Sequence, residues 1–387
     1  MLQFSAQATS SDTRLTTVSA IAQEMVRVMQ ELTQPDPDGE APPPARACVM
    51  NIVLVGQDEA TVQEASKVAA QLSAHYPSRT FVVTAAPAQA EASLDGSVSA
   101  FCSLRGPGTK ELVCLEQVWL KATGATARHL AGIILPLLTP DLPVYLWWIG
   151  EPPEQSELLQ SCDRIIVDST GFKEPLPQLA RLHVILQQQN NRRGNTTSLS
   201  DFTWLRLGPW RELIAQFFDG PETVPYVHQL TNVRVEYGTD PGGTAHASPS
   251  LLLLGWLAAK LGWQYREGSS RARGRDYRLS FAKPDGSPVS LQVVPRARAS
   301  ESGYPGEILS IELTALVENR EAVFSVNLHQ DGIHASTRTL LPGLRETTRT
   351  VPMERNSMED LLLEGLESMG NDASFEESLA VTAAMLP

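Results

Sequence analysis

Three stretches of this sequence gather residue types that could do chemistry. The loop YGTDPGGTAHASPS, residues 237–250, is rich in glycine, holds His246 and feeds a helix start, so its backbone N–H groups could cradle an anion such as a sugar phosphate. The same residues serve equally as turn chemistry ahead of an N-cap, with no ligand. REGSSRARGRDYR, residues 266–278, concentrates five arginines that could grip a phosphate or carboxylate on a partner, or form a solvated loop. The third feature is a cysteine pair, Cys102 and Cys114, around the turn signal RGPGTK. With the turn centred on Gly108 the two face each other across a hairpin, about 4.5–5.5 Å apart at Cα. Linked, they form a redox-sensitive pair; reduced, they are two small hydrophobes on the core face of the hairpin.

Standard catalytic signatures are missing. There is no P-loop, no GxSxG, no HExxH and no kinase set, and Cys48, Cys102, Cys114 and Cys162 include no CxxC. The seven histidines are scattered, none with a local partner at ligand or triad spacing. The first apolar strand ends VGQDEA rather than in GxGxxG, so it lacks the loop that admits a pyrophosphate to a helix N-terminus. The sequence therefore predicts no catalytic residue, no metal and no cofactor.

The elements that would position these groups read as two kinds of domain. Residues 13–34 place Ile21, Met25, Val28 and Met29 near helical spacing, and the proline-rich PDPDGEAPPPAR follows as a linker. From residue 47 the pattern alternates between apolar strands (ACVMNIVLVG, TFVVTA, LPVYLWW, RIIVDS) and helices (residues 58–77, 125–140 and 175–188), with the hairpin between. That grammar predicts an open, mostly parallel, Rossmann-like α/β sheet over 47–195. After the polar segment 190–200, a helix broken at Gly208-Pro209 leads into a strand, a helix beginning at Ser248, and alternating strands up to about residue 341. These predict an α+β domain over 196–387, an antiparallel sheet covered by helices, with residues 1–46 apart as an N-terminal helix and linker.

Composition bounds the role. The 387 residues are 42% hydrophobic and 19% charged, a globular balance with room for two cores. Lys+Arg 31 against Asp+Glu 44 leaves a net charge of −13, which disfavours nucleic acid and anionic membrane surfaces. The longest apolar stretch, residues 248–263, is broken by Ser, Gly and Lys before it could span a bilayer, and residues 1–45 carry no secretory pattern, so the cytoplasm is the expected compartment.

The tryptophans carry the remaining signal. Trp147 and Trp148 are adjacent on a strand and so point to opposite sides of the sheet, while Trp204 and Trp210 lie six residues apart around Gly208-Pro209. All four suit core packing or an interface. DLPVYLWWIG, then DRIIVDST, then WLRLGPWRELIAQFFD some forty residues on, resemble the OpcA family of glucose-6-phosphate dehydrogenase assembly proteins from cyanobacteria and actinobacteria. The resemblance covers most of residues 47–350. It implies a non-catalytic partner that binds glucose-6-phosphate dehydrogenase, promotes its active oligomer and raises its activity, so governing NADPH production by the oxidative pentose phosphate route. It marks Trp147, Trp148, Asp168, Trp204, Trp210 and Arg211 as scaffold or contact positions. Thioredoxin is a second expected partner, through cysteines in the C-terminal half of cyanobacterial members, although this chain has none after Cys162. The competing reading is a sugar-phosphate-binding enzyme or sensor using the crevice at the strand ends of the α/β domain.

Overall fold

The computed structural model describes residues 7–10, 14–32, 45–46, 48–72, 76–104, 112–151, 157–190, 197–239, 246–268, 271–273, 276–297, 303–368 and 370–386. They fall into two compact units: 1–167, 189–200 and 358–369 in one, and 168–188, 201–357 and 370–387 in the other.

The first unit is built on a nine-stranded sheet of β1 (Gln7–Ser10), β2 (Ala45–Arg46), β3 (Met50–Gly56), β4 (Ser78–Ala86), β5 (Ser93–Leu104), β6 (Leu112–Thr123), β7 (Val144–Trp148), β8 (Arg164–Val167) and β9 (Ser198–Asp201). Their order is β1-β5-β6-β4-β3-β7-β8-β9, with β2 beside β6. β6, β4, β3, β7 and β8 run parallel, and β5 and β1 add on antiparallel. Every position of β3 is buried, as a strand covered on both faces requires. From β3 the chain steps outward to β4 and β6 and then crosses to β7 and β8, so the order reverses between β3 and β7. This is the doubly wound arrangement that the strand–helix grammar predicts.

Two polar side chains, the buried Asn51 and the exposed Asp163, fix β7 in that slot. Asn51 Nδ2 donates to the Thr139 carbonyl at 3.0 Å while its Oδ1 accepts from Thr139 N at 2.9 Å, and Asp163 Oδ2 accepts from Val144 N at 2.8 Å. The helix expected over 125–140 is instead three short pieces, Gly124–Arg128, Leu130–Ile134 and the 3-10 turn Leu135–Leu137. His129 at φ −117° and Pro136, which has no N–H to give, account for the breaks.

The second unit carries another nine-stranded sheet: β10 (Leu230–Thr239), β11 (Gln264–Tyr265), β12 (Arg271–Arg273), β13 (Asp276–Ala282), β14 (Pro288–Ala297), β15 (Ile308–Val317), β16 (Arg320–Leu328), β17 (His334–Leu340) and β18 (Thr347–Pro352). The order is β11-β13-β14-β10-β15-β16-β17-β18, with β12 beside β13. The sheet is antiparallel as predicted except at β10 and β14, which pair parallel. The helix Ser248–Lys260, lying between them in sequence and packing on both, supplies the crossover a parallel pair needs.

That helix is buried along most of its length, with Leu251, Leu252, Leu253 and Leu254 all fully inside. It packs against the helix Ala373–Ala384, whose Ser378 and Thr382 hydroxyls donate to the Leu252 and Leu251 carbonyls. Gly255 permits the close approach: a Cβ there would lie 2.6 Å from the Ser378 carbonyl oxygen. Gly255→Ala should force the helices apart and destabilise the protein by about 1–3 kcal/mol. Thermal unfolding checks this; an unchanged midpoint would show that the contact can relax without cost.

Candidate functional site

A doubly wound sheet implies a dinucleotide site where the strand order reverses, outside the ends of β3 and β7. The residues present do not fit one. After Gly56 the chain runs Gln57-Asp58-Glu59 into the helix Glu59–Leu72, and Asp58 Oδ2 accepts from Thr61 N at 2.8 Å and from Thr61 Oγ1 at 2.6 Å. Those bonds lower the Asp58 pKa and keep the carboxylate ionised. An anionic cap therefore holds the helix N-terminus a pyrophosphate would use, with Glu59 beside it. Gly56 itself leaves little room, since a Cβ there would meet Val62 Cγ2 at 2.5 Å and Ile149 Cβ at 3.3 Å.

In the second unit the residues of DST and DFTWLRLGPWR converge into one polar node. Asp168 caps the short turn Ser169–Gly171, accepting from Thr170 N and Oγ1. Asp201 caps the helix Phe202–Arg206: its Oδ1 accepts from Thr203 N at 2.9 Å and from Ser169 N at 3.0 Å. From the end of that helix Arg206 grips Asp168 bidentately, both bonds 2.9 Å, with side-chain exposures of 11% and 24%. Its guanidinium also lies 5.0 Å from the centroid of the Tyr304 ring.

The electrostatics follow from burial. Desolvation works against the Asp168 carboxylate, but the Arg206 charge and the bonds from Arg206 and Thr170 outweigh it, so its pKa is lowered. Asp201, whose Oδ2 has no hydrogen-bond partner, is pushed up to about 6 by burial and by the neighbouring Asp168 charge. One arginine thus keeps one of two adjacent carboxylates ionised while the other is poised near neutrality.

Trp204 forms the back of the node. Its Nε1 donates to Asp372 Oδ2 at 2.7 Å, its ring lies 5.4 Å from Phe375, and Arg211 stacks 3.5 Å from the ring centroid. Arg211 also donates to the Trp204 carbonyl at 2.9 Å. Asp372 meanwhile caps the helix Ala373–Ala384. Trp204, Arg211 and Asp168 are therefore gathered on the surroundings of one short helix, whereas Trp147 and Trp148 stand on the first unit. Trp147, Trp204 and Trp210 are 5%, 2% and 3% exposed, so their rings pack inside. Trp148 is half-buried, its Nε1 donating to the Glu151 carbonyl at 3.0 Å. Sequence spacing missed Arg206, Asp201 and Tyr304, which meet Asp168 only through the fold.

The cysteines divide into two groups. The β5–β6 register puts residue 102 directly opposite Cys114, and Cys114 is disulfide-bonded; the Cys102 side chain lies outside the described ones. Cys48 and Cys162 are free thiols that burial pushes up to about 11 and about 12, so both are poor nucleophiles at neutral pH. Of the glycine-rich loop, residues 240–245 lie outside the described ones, and so do 269–270 and 274–275 of the arginine-rich segment. Among the described residues no group of three or more His, Cys, Asp or Glu is placed to hold a metal ion.

Comparison with known proteins assigns both parts of the chain to one family. Residues 69–184 match the glucose-6-phosphate dehydrogenase subunit N-terminal domain and residues 197–379 the C-terminal domain of that subunit. The putative OxPP cycle protein OpcA of Synechocystis sp. is 27% identical over 84% of this chain and 66% of its own length. Its namesake from Synechococcus elongatus is 29% identical over 76% and 64%. The chain thus spans a little under two thirds of the length of these curated relatives. Solved structures resemble it remotely: the 3-ketoreductase KijD10 of Actinomadura kijaniata at 10% identity and TM-score 0.46, covering 87% of this chain and 95% of that one, and a levoglucosan dehydrogenase at 11% and 0.44, covering 87% and 97%. Likeness at that distance says nothing about the reaction.

Two outcomes follow from the node and the hairpin. The raised pKa of Asp201 means that the folded state binds this proton more tightly than the unfolded chain, where an aspartate titrates near about 3.9. Its contribution to stability is full below that value and is lost as pH rises through about 6. Asp201→Asn keeps both backbone bonds and removes the charge, so the variant should gain on the wild type as pH rises from about 5 to about 7. Urea unfolding across that range reads it, and parallel stability profiles would contradict the assignment. Peptide mapping without reductant should show a fragment linking residues 102 and 114; recovery of both as alkylatable thiols would contradict the linkage.

Proposed function

The chain belongs to the OpcA family of glucose-6-phosphate dehydrogenase subunits, and from that premise we propose that it is a protein effector which binds the dehydrogenase, promotes its active oligomer and raises its activity. The observation that carries the reading is the match of both domain models, in order, over residues 69–184 and 197–379. An effector acts by binding one state of its target better than another, so it needs a shaped surface rather than a reaction centre. The anionic cap at the switch point is consistent with that role, because it leaves the doubly wound sheet as scaffold. Through the enzyme, the chain would govern NADPH supply in the oxidative pentose phosphate route, and its place of action would be the cytoplasm.

Among the motif tryptophans, Trp148 is the one with exposed ring surface, at the Gly150-terminated end of β7. We assign it a place in the contact with the enzyme, with the buried Trp147, Trp204 and Trp210 and the stacked Arg211 supporting the surface from inside. The Cys102–Cys114 pair would add redox control, with thioredoxin as the reductant.

The test uses this chain and the dehydrogenase of its own organism, oxidised and reduced. Activity should rise on mixing; no change in either redox state would exclude the effector role. Trp148→Ala should leave the unfolding midpoint in place and weaken half-maximal activation at least tenfold, as truncation of an interface tryptophan commonly does. Unaltered activation by that variant would move the contact elsewhere.

A further inference from the structure

The second unit contains a cleft of about 260 Å³, bordered by the start of the helix Gly208–Gln216, the turn at residues 303–307 and the segment that follows β18. It is smaller than the roughly 300 Å³ at which pockets for drug-sized ligands begin, so its occupant is small. Two guanidiniums line it, Arg206 and Arg355. Both are held in place by neighbouring carboxylates. Arg206 is fixed by both oxygens of Asp168 and by the Tyr304 ring. Arg355 Nη2 donates to the buried Glu307 at 2.6 Å, and its guanidinium crosses Gly332, where a Cβ would meet Cζ at 2.6 Å. Gly332, at φ +72°, is thus shaped to let the arginine lie down.

A guanidinium carries five N–H donors in a rigid fork. Arg206 gives two to Asp168 and Arg355 gives one to Glu307, so each retains donors for the cleft. The carboxylates of Asp168 and of Glu307, the latter itself part of the lining, orient the two forks and cancel excess charge, so the site would select an oxyanion by geometry rather than by a general positive field. The rest of the lining is mixed. The Glu354 carboxylate and the Asn356 amide offer acceptors and donors for hydroxyls, and Trp210 and Met353 offer apolar surface for C–H faces.

We propose that this cleft binds a small polyhydroxylated molecule bearing an oxyanion, a sugar phosphate or a sugar acid, gripped by Arg206 and Arg355. The site lies in the second unit and not in the strand-end crevice of the doubly wound sheet, where Asp58 would repel such a ligand. It is independent of the dehydrogenase reading, because binding is measured on this chain alone.

Isothermal titration of the full chain with glucose 6-phosphate, gluconate, glucose and inorganic phosphate tests it. Saturable binding of glucose 6-phosphate or of gluconate supports the site and tells a phosphate from a carboxylate. Glucose should bind at least tenfold more weakly than the better of the two. Arg355→Gln removes the cation that faces the buried Glu307, so its unfolding midpoint should fall, but with circular dichroism showing it folded at the titration temperature it should weaken that binding about tenfold or more, as loss of a charged hydrogen bond does. Gly332→Ala should act in the same direction by displacing the guanidinium. No saturable binding of any probe, binding unchanged in Arg355→Gln, or inorganic phosphate binding as tightly as glucose 6-phosphate would each overturn the proposal.

Discussion

The second unit turns on one ion pair. Asp168 and Asp201 cap neighbouring turns and sit close enough for the charge of one to raise the pKa of the other. Without Arg206, two carboxylates would share a nearly dry site, and one would have to take up a proton. With it, Asp168 stays ionised, Asp201 keeps its two backbone donors, and the helix Phe202–Arg206 is fixed at its start by Asp201 and at its end by Arg206. Everything attached to that helix inherits the placement. Trp204 is aimed at Asp372, the cap of the next buried helix, and Arg211 is stacked on its ring. Arg206 itself becomes part of the wall of the cleft. A buried pair of this kind is weak evidence of net stability, but it specifies one arrangement among several that an apolar core would allow.

The first unit has the strand order of a nucleotide-binding sheet without the residues that would receive a pyrophosphate. Strand order and direction are those of a doubly wound sheet, and the order reverses where a ligand would be expected. The difference lies in a few residues: an aspartate takes the helix N-terminus that glycines would leave open, and Ile149 closes toward Gly56. Fold and function separate here at the level of a single cap.

Much of this architecture was legible in the sequence, and for physical reasons. A strand buried on both faces must be apolar throughout, as β3 is, and a helix inside a core must be apolar all round, as Ser248–Lys260 is. The pleat likewise required Trp147 and Trp148 to face opposite ways, and one is buried while the other keeps exposed surface. β18 was not legible because its side chains lie almost wholly in solvent and give no alternation to read. The parallel β10–β14 pair was missed because a strand's residues do not record the direction of its neighbour. The Asp168–Arg206 pair spans 38 residues, far beyond the reach of local spacing, and the arginines that the fold places in the cleft, Arg206 and Arg355, lie outside the five-arginine run. Cys102 and Cys114 were readable because a hairpin converts equal distance from its turn into direct opposition.

The proposed effector role requires a physical complex between this chain and glucose-6-phosphate dehydrogenase. Sedimentation velocity of the two purified proteins, alone and mixed at equal concentration, tests it without reference to activity. Mixing should produce a new boundary that sediments faster than either component and contains both chains. A mixture whose profile is the sum of the separate ones, across concentration and redox state, would contradict it.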